Sequence, residues 1–170
     1  MGEQLSERLT KPIFDIPKEQ VVSNSPEGAL IRHPAMGFQM SLPQFAGVEK
    51  QRGIVFSWNF PPTQNFADNV NVMVQDNELP FGQLLKDSVK ELEKAGLKVV
   101  KVSPIQKKGF YYATIEYMAN LQGRNLHWLA MLSAGDQKFY IVTCTALEDT
   151  FISRRPEFER IFDSFLVIKK

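Results

Sequence analysis

A chain of 170 residues, 44% hydrophobic and 23% charged, is of a size for one domain. Folding at that length buries on the order of 70% of the unfolded surface, so stability needs no metal or disulfide and wholesale disorder is excluded. A formal net charge of +1 removes the electrostatic reason to expect nucleic acid, an anionic membrane or an acidic partner, and the single cysteine, Cys144, rules out an internal disulfide and a cysteine-rich zinc site.

Residues 1–28 carry Pro12, Pro17 and Pro26 and show no sustained period, which reads as a flexible N-terminal arm. Within it Ile13, Phe14 and Ile16 offer one short apolar stretch. "MGEQLS" meets the loose myristoylation pattern at Gly2 and Ser6, a short match that Glu3 opposes. No apolar run approaches the ~20 residues of a membrane span and the N-terminus has no signal segment. The expected compartment of the chain as written is therefore cytoplasmic, with a periplasmic or lipoprotein location if a leader has been removed.

The domain is read from residue 29 to 170. "ALIRH" (29–33) and "GFQMSLP" predict two short strands, the second stopped by Pro43, and "GIVFSWNF" (53–60) predicts a third that ends at Pro61 and Pro62. In "NVNVMVQ" a period of two puts Val70, Val72 and Val74 on one face and Asn69, Asn71, Met73 and Gln75 on the other. A calcium loop counted from Asp68 would need oxygen donors where those valines stand.

The period then changes to that of a helix. In "PFGQLLKDSVKELEKAG" the apolar positions Phe81, Leu84, Leu85, Val89, Leu92 and Ala95 are spaced by three and four, between Pro80 and Gly96. After "LKVVKV" and a turn at Lys108 and Gly109 come three long strands, "FYYATIEYMANL", "RNLHWLAMLS" and "KFYIVTCTA". Turns at Gln122–Gly123 and Gly135–Asp136 join them into an antiparallel meander. Tyr140, Val142, Cys144 and Ala146 share a face, so the thiol is expected to be buried and inert. A last helix is predicted from about Pro156, a favoured first-turn residue, with Phe158, Ile161, Phe162 and Phe165 on its apolar side. Lacking regular βαβ alternation, this order predicts an α+β fold, an antiparallel β-sheet flanked by helices. Lys107/Lys108, Arg154/Arg155 and Lys169/Lys170 read as solvated surface.

Catalytic chemistry finds little support. The chain has two histidines, His33 and His127, and no G-x-S-x-G elbow, P-loop, dinucleotide fingerprint or H-E-x-x-H. Glu116 is an acid inside a long strand, expected to pair with Arg124 or His127 across the hairpin. It has no second carboxylate at a spacing that acid–base catalysis would use. In "SWNFPPTQNF" the rings of Trp58, Phe60 and Phe66 flank Pro61 and Pro62, an arrangement that predicts an apolar partner-docking patch if the rings stay exposed and a closed core end if they do not. Asn69, Asn71, Glu116 and His127 are the candidate ligand-binding residues.

The succession "GFQMSLP", "NVNVMVQ", an amphipathic helix, "GFYYATIEYMA", "HWLAMLSAGDQKFYIVTCTA" and "PEFERIFDSFLV" resembles the PsbP-like superfamily, which includes the photosystem II PsbP subunit, DcrB-like proteins, a Ran-binding protein and Eag-type chaperones. The resemblance spans residues 29–168, with Ser164 and Phe165 among its marks. It implies an α/β/α sandwich and a protein-binding role without a shared catalytic motif. The metal-related residues of the photosystem subunit have no counterpart here, and neither a Ran-binding signature nor effector-chaperone features are found. The expectation is a non-enzymatic protein-binding or accessory module with no cofactor and an unidentified protein partner. A small-ligand or metal carrier and a secretion-effector chaperone are the alternatives.

Overall fold

The computed structural model describes residues 21–25, 28–34, 36–42, 56–107 and 110–168. Strands β1 (Val21–Ser25), β2 (Gly28–His33) and β3 (Phe38–Leu42) precede β4 (Phe56–Asn59) and β5 (Asn69–Asp76). Helix α1 (Phe81–Lys94) leads into β6 (Lys98–Lys107), β7 (Phe110–Leu121), β8 (Arg124–Gly135) and β9 (Lys138–Leu147), and helix α2 (Glu148–Ser164) into β10 (Leu166–Val167). All pairings are antiparallel. The α+β class is as the sequence predicts, but the strands divide into two sheets, β1-β2-β3-β10 and β4-β5-β9-β8-β7-β6. The smaller sheet begins inside the stretch read as an arm, because Val21–Ser25 pairs with β2; residues 1–20 lie outside the described residues.

The meander forms as its turn residues dictate. Gln122 and Gly123, at φ 52° and 79°, make a two-residue connection with both residues left-handed, the geometry that matches strand twist. The second hairpin turns on Asp136 and Gln137, at φ 52° and 59°, one residue later than predicted. Gly135 stays in the strand beside Val167 of β10, where a Cβ would make ordinary van der Waals contact at 3.4 Å.

Helix α1 ends in a Schellman motif. Gly96, at φ +82°, donates to the carbonyl of Glu93 and Leu97 donates to that of Leu92, both at 3.0 Å, which satisfies carbonyls that the helix end would orphan. Helix α2 starts at Glu148, eight residues before the predicted start, and carries Pro156 in its interior. Two acids in its first turn, Glu148 and Asp149, suit the positive end of the helix. An interior proline disfavours a helix by about 3 kcal/mol. Burial of Phe151, Phe158, Ile161 and Phe162, at about 1.5–3 kcal/mol each, outweighs that.

Three layers result: α1, the six-stranded sheet, and a third layer made of the smaller sheet together with α2. The larger core lies between the second and third layers and holds Phe38, Met40, Trp58, Val70, Val72 and Phe158 among others. Phe165 stacks on Phe38 at 5.8 Å, and the Ser164 hydroxyl accepts from the Ser41 amide at 2.9 Å, so the end of α2 is tied to β3. The lesser core, under α1, is built on Ile115, Ala130, Leu132 and Phe139.

Candidate functional site

The residues proposed as docking anchors are part of the larger core. Trp58 is 0% and Phe60 2% exposed. Trp58 stacks on Phe56 at 6.2 Å and pairs in register with Val70, while Phe60 meets Phe158 edge-on at 6.1 Å. Pairing of β4 with β5 turns these rings inward, which sequence alone did not decide. Pro61 and Pro62 are exposed and Phe66 is half-buried, with the Arg124 guanidinium 5.9 Å from its ring. The predicted aromatic patch is therefore reduced to a proline rim over a closed core end.

The four candidate ligand residues fall on opposite faces of the six-stranded sheet. Asn69 and Asn71 register with Thr145 and Thr143 on the side of α1, whereas Glu116 registers with Leu129 and Cys144 on the side of α2. His127 joins Glu116 there and His33 lies in the other sheet, so no site unites all of them.

Glu116 is the centre of a buried polar network. One carboxylate oxygen is 2.7 Å from His127 Nε2 and the other accepts from Arg155 Nη2 at 2.5 Å. The His127 ring lies flat against Phe151 at 3.6 Å, and the Arg155 guanidinium lies 5.1 Å from the centre of the same ring. Burial pushes the Glu116 carboxyl up, but the hydrogen bonds from Arg155 and His127 and the charge of Arg155 hold it below the usual range. Arg124, the other predicted partner, instead donates to the Asn65 carbonyl at 3.1 Å. A cavity of about 310 Å³ opens beside Glu116 and is lined by Lys101, Tyr112, Arg155 and Asp163 among others.

A second clasp, one residue away, has no local sequence signature. Arg154 Nε donates to Asp68 Oδ2 at 2.7 Å, and its guanidinium lies 4.4 Å from the centre of the Phe60 ring. Asp68 is buried, and burial raises its pKa against the pull of Arg154. Arg154 and Arg155, expected as solvated surface, are thus half-buried and paired. Charge-assisted bonds from adjacent residues to Asp68 and Glu116 bolt α2 onto the sheet at two points. Cys144 is fully buried, which pushes its thiol well above the usual range and keeps it a small apolar filler.

The outer face of the sheet is built differently. Helix α1 packs chiefly over β6, β7 and β8, and none of its residues is buried. Its apolar stripe of Phe81, Leu84, Leu85, Val89 and Leu92 is half-buried against the lesser core. Beside it runs an open groove of about 480 Å³. The groove's floor includes Ala130, Leu132 and Ile141, Met73 forms its far wall, and Leu84, Asp87, Ser88, Glu91 and Leu92 of α1 form the near wall. At the floor Tyr117 bonds Thr143 and stacks on Trp128 at 5.2 Å. Its burial raises the pKa to about 12, so the hydroxyl keeps its proton. Asn69 and Asn71 lie on this face, beyond the groove. The groove escaped the sequence reading because it exists only through where α1 comes to rest. Among the described residues no group of three or more His, Cys, Asp or Glu is placed to hold a metal ion, and no helix is long and apolar enough to cross a membrane.

A comparison with curated proteins gives no match. Among solved structures, cyanobacterial PsbP (CyanoP) from Synechocystis sp. PCC 6803 superposes with a TM-score of 0.70 at 13% identity, over 86% of this chain and 95% of that one. The Pseudomonas aeruginosa protein PA94, described as of unknown function and a putative regulator, gives 0.62 at 17% identity over 85% and 99%. LpqN of Mycobacterium tuberculosis, involved in cell envelope biogenesis, gives 0.58 at 12% identity over 78% and 79%. These likenesses are of fold. The PsbP family profile matches residues 36–167, and the chain belongs to the PsbP family.

Proposed function

We propose that this PsbP-family domain is a non-enzymatic accessory module that binds a protein partner along the outer face of its six-stranded sheet. The observation that carries this reading is the open groove beside α1, where half-buried Met73, Ile141, Leu84 and Leu92 lie above the buried Ala130 and Leu132 and beside a helix with no buried residue. A mostly apolar groove with a few polar groups along it is the usual form of a binding site. The earlier candidate patch at Trp58 and Phe60 cannot serve without opening the core. The likeness to LpqN supports an envelope compartment for the partner.

The test is site-specific photo-crosslinking in cells, with the crosslinker at Ser88 on the groove wall or at the exposed Lys86 of the same helix. Adducts from Ser88, absent from Lys86 and lost when Thr143→Phe fills the groove, are expected. Equal adducts from both positions, or none from Ser88, would refute it.

A small-ligand carrier is the second reading, favoured by the 310 Å³ cavity beside Glu116. A saturable thermal shift with a metabolite or metal that Glu116→Gln abolishes would support it, since a ligand that binds the native state alone must stabilise it. A shift that survives the substitution would count against that cavity.

A further inference from the structure

We infer that the occupant of the outer groove is an amphipathic segment of a partner protein that carries lysine or arginine along the edge of its apolar stripe. The inference rests on the groove being the docking surface and adds the chemistry of what docks.

The charge of the lining carries it. Among the described residues that line the groove, the charged ones are Asp87 and Glu91, both acids and both on the α1 wall. Four residues apart on one helix, they project from the same face, where like charges oppose each other and a cation placed between them would be attracted by both. Lys94, one turn along the helix, reaches Glu91 only at 3.9 Å, with both side chains mostly exposed. Asp87 takes a neutral partner, the Gln83 amide, at 2.7 Å. Neither acid is therefore closed off from an incoming cation. Below this rim the groove is mostly apolar, with half-buried Met73 and Ile141 above the buried Ala130 and Leu132 and with the Tyr117 and Thr143 hydroxyls bonded to each other, so it would admit aliphatic side chains and reject charge.

Size selects the length of the segment. The near wall runs from Leu84 to Leu92, eight residues at ~1.5 Å each, or about 12 Å. That is roughly two helical turns, enough for an apolar stripe at i, i+3/i+4 and i+7 with basic residues beside it.

The experiment titrates the full chain with three synthetic peptides of equal length that share one leucine stripe and carry lysine, glutamine or glutamate at the flanking positions. Fluorescence anisotropy gives affinity, and NMR shifts at Met73, Ile141 and Thr143 report the place of binding. The lysine peptide is expected to bind at least tenfold more tightly than the glutamate peptide at low salt, with the margin shrinking as salt rises. Thr143→Phe should abolish its binding, and Asp87→Lys with Glu91→Lys should reverse the order of the charged peptides. Both acids are at the helix surface, so circular dichroism should confirm an intact fold.

Equal or tighter groove binding by the glutamine or glutamate peptide, still blocked by Thr143→Phe, would overturn the basic partner and leave the groove as a docking surface. The absence of groove shifts with any peptide, together with no adduct from Ser88, would overturn both. A concentration-dependent dimer whose dissociation moves the groove signals would replace the partner with a second copy. Groove signals that move on deletion of residues 1–20 without any peptide would replace it with the chain's own arm.

Discussion

The two faces of the six-stranded sheet show how one set of strands can be closed tightly on one side and covered more loosely on the other. The inner face is closed by a second sheet and by α2, whose adjacent arginines grip Asp68 and Glu116, and its large rings are almost wholly buried. The outer face is covered by a single 14-residue helix whose apolar stripe is only half-buried. The difference lies in what covers the strands, since β5 alternates between both environments: Val70 and Val72 are fully buried, and Asn69, Asn71 and Met73 are not. A substitution one residue along the same strand therefore tests a different half of the molecule.

The largest effect should come from the inner face. Trp58→Ala removes a fully buried ring and is expected to destabilise by about 3–5 kcal/mol in denaturant titration. A loss below ~1 kcal/mol would show that the ring is not in the core and would reopen the aromatic loop as a docking patch.

The clasp comes next. Glu116→Leu leaves Arg155 and His127 without their carboxylate and should cost about 1–3 kcal/mol, less than breaking a fully buried pair because the Arg155 side chain is 35% exposed. The two clasps should also respond to acid with opposite sign. Glu116 has a depressed pKa in the folded state, so its contribution is present above the ordinary carboxylate range and is lost as pH falls toward the folded value. Asp68 has a raised pKa, so the folded state takes up its proton first and the penalty for its burial is relieved as pH falls through that value. Glu116→Gln is thus expected to flatten the acid loss of stability and Asp68→Asn to steepen it. Unfolding midpoints between pH 3 and 6 that change in the same direction for both would contradict this assignment.

Leu85→Ala on α1 should cost about 1–2 kcal/mol, since the side chain is only half-buried. Hydrogen exchange should show α1 amides opening at lower free energy than those of α2; equal protection would mean that the outer face is as firmly closed as the inner one. The smallest effect is expected from Gly96→Ala, about 1 kcal/mol for placing a side chain at φ +82°, measured by thermal unfolding.

Much of this architecture is legible in the sequence where the signal is local. The alternation of Val70 and Val72, the stripe and glycine stop of α1, and the Gln122–Gly123 turn each depend on neighbours within a few residues. What is not legible depends on partners far along the chain. Trp58 reads as a possible surface ring until β4 pairs with β5, and Glu116 and Asn71 look equally like strand polar residues until register places them on opposite faces. Pro156 is a fair start signal for a helix, and it misleads because four buried residues hold α2 together across it. Arg154 and Arg155 resemble any surface basic pair, their acids standing 86 and 39 positions away. The groove has no sequence signature, since it is the space that α1 does not fill.

The smaller sheet is assembled from two distant parts of the chain, with β1, β2 and β3 before residue 43 and β10 at Leu166–Val167. Ser41 and its anchor Ser164 are separated by 123 positions. At a synthesis rate of about 5–20 residues per second, β3 leaves the ribosome on the order of 6–25 s before the strand and the Phe165 ring that will cover it. During that interval the Phe38 and Met40 side chains lack their final partners, so the birth of the protein includes a timed exposure of its own core.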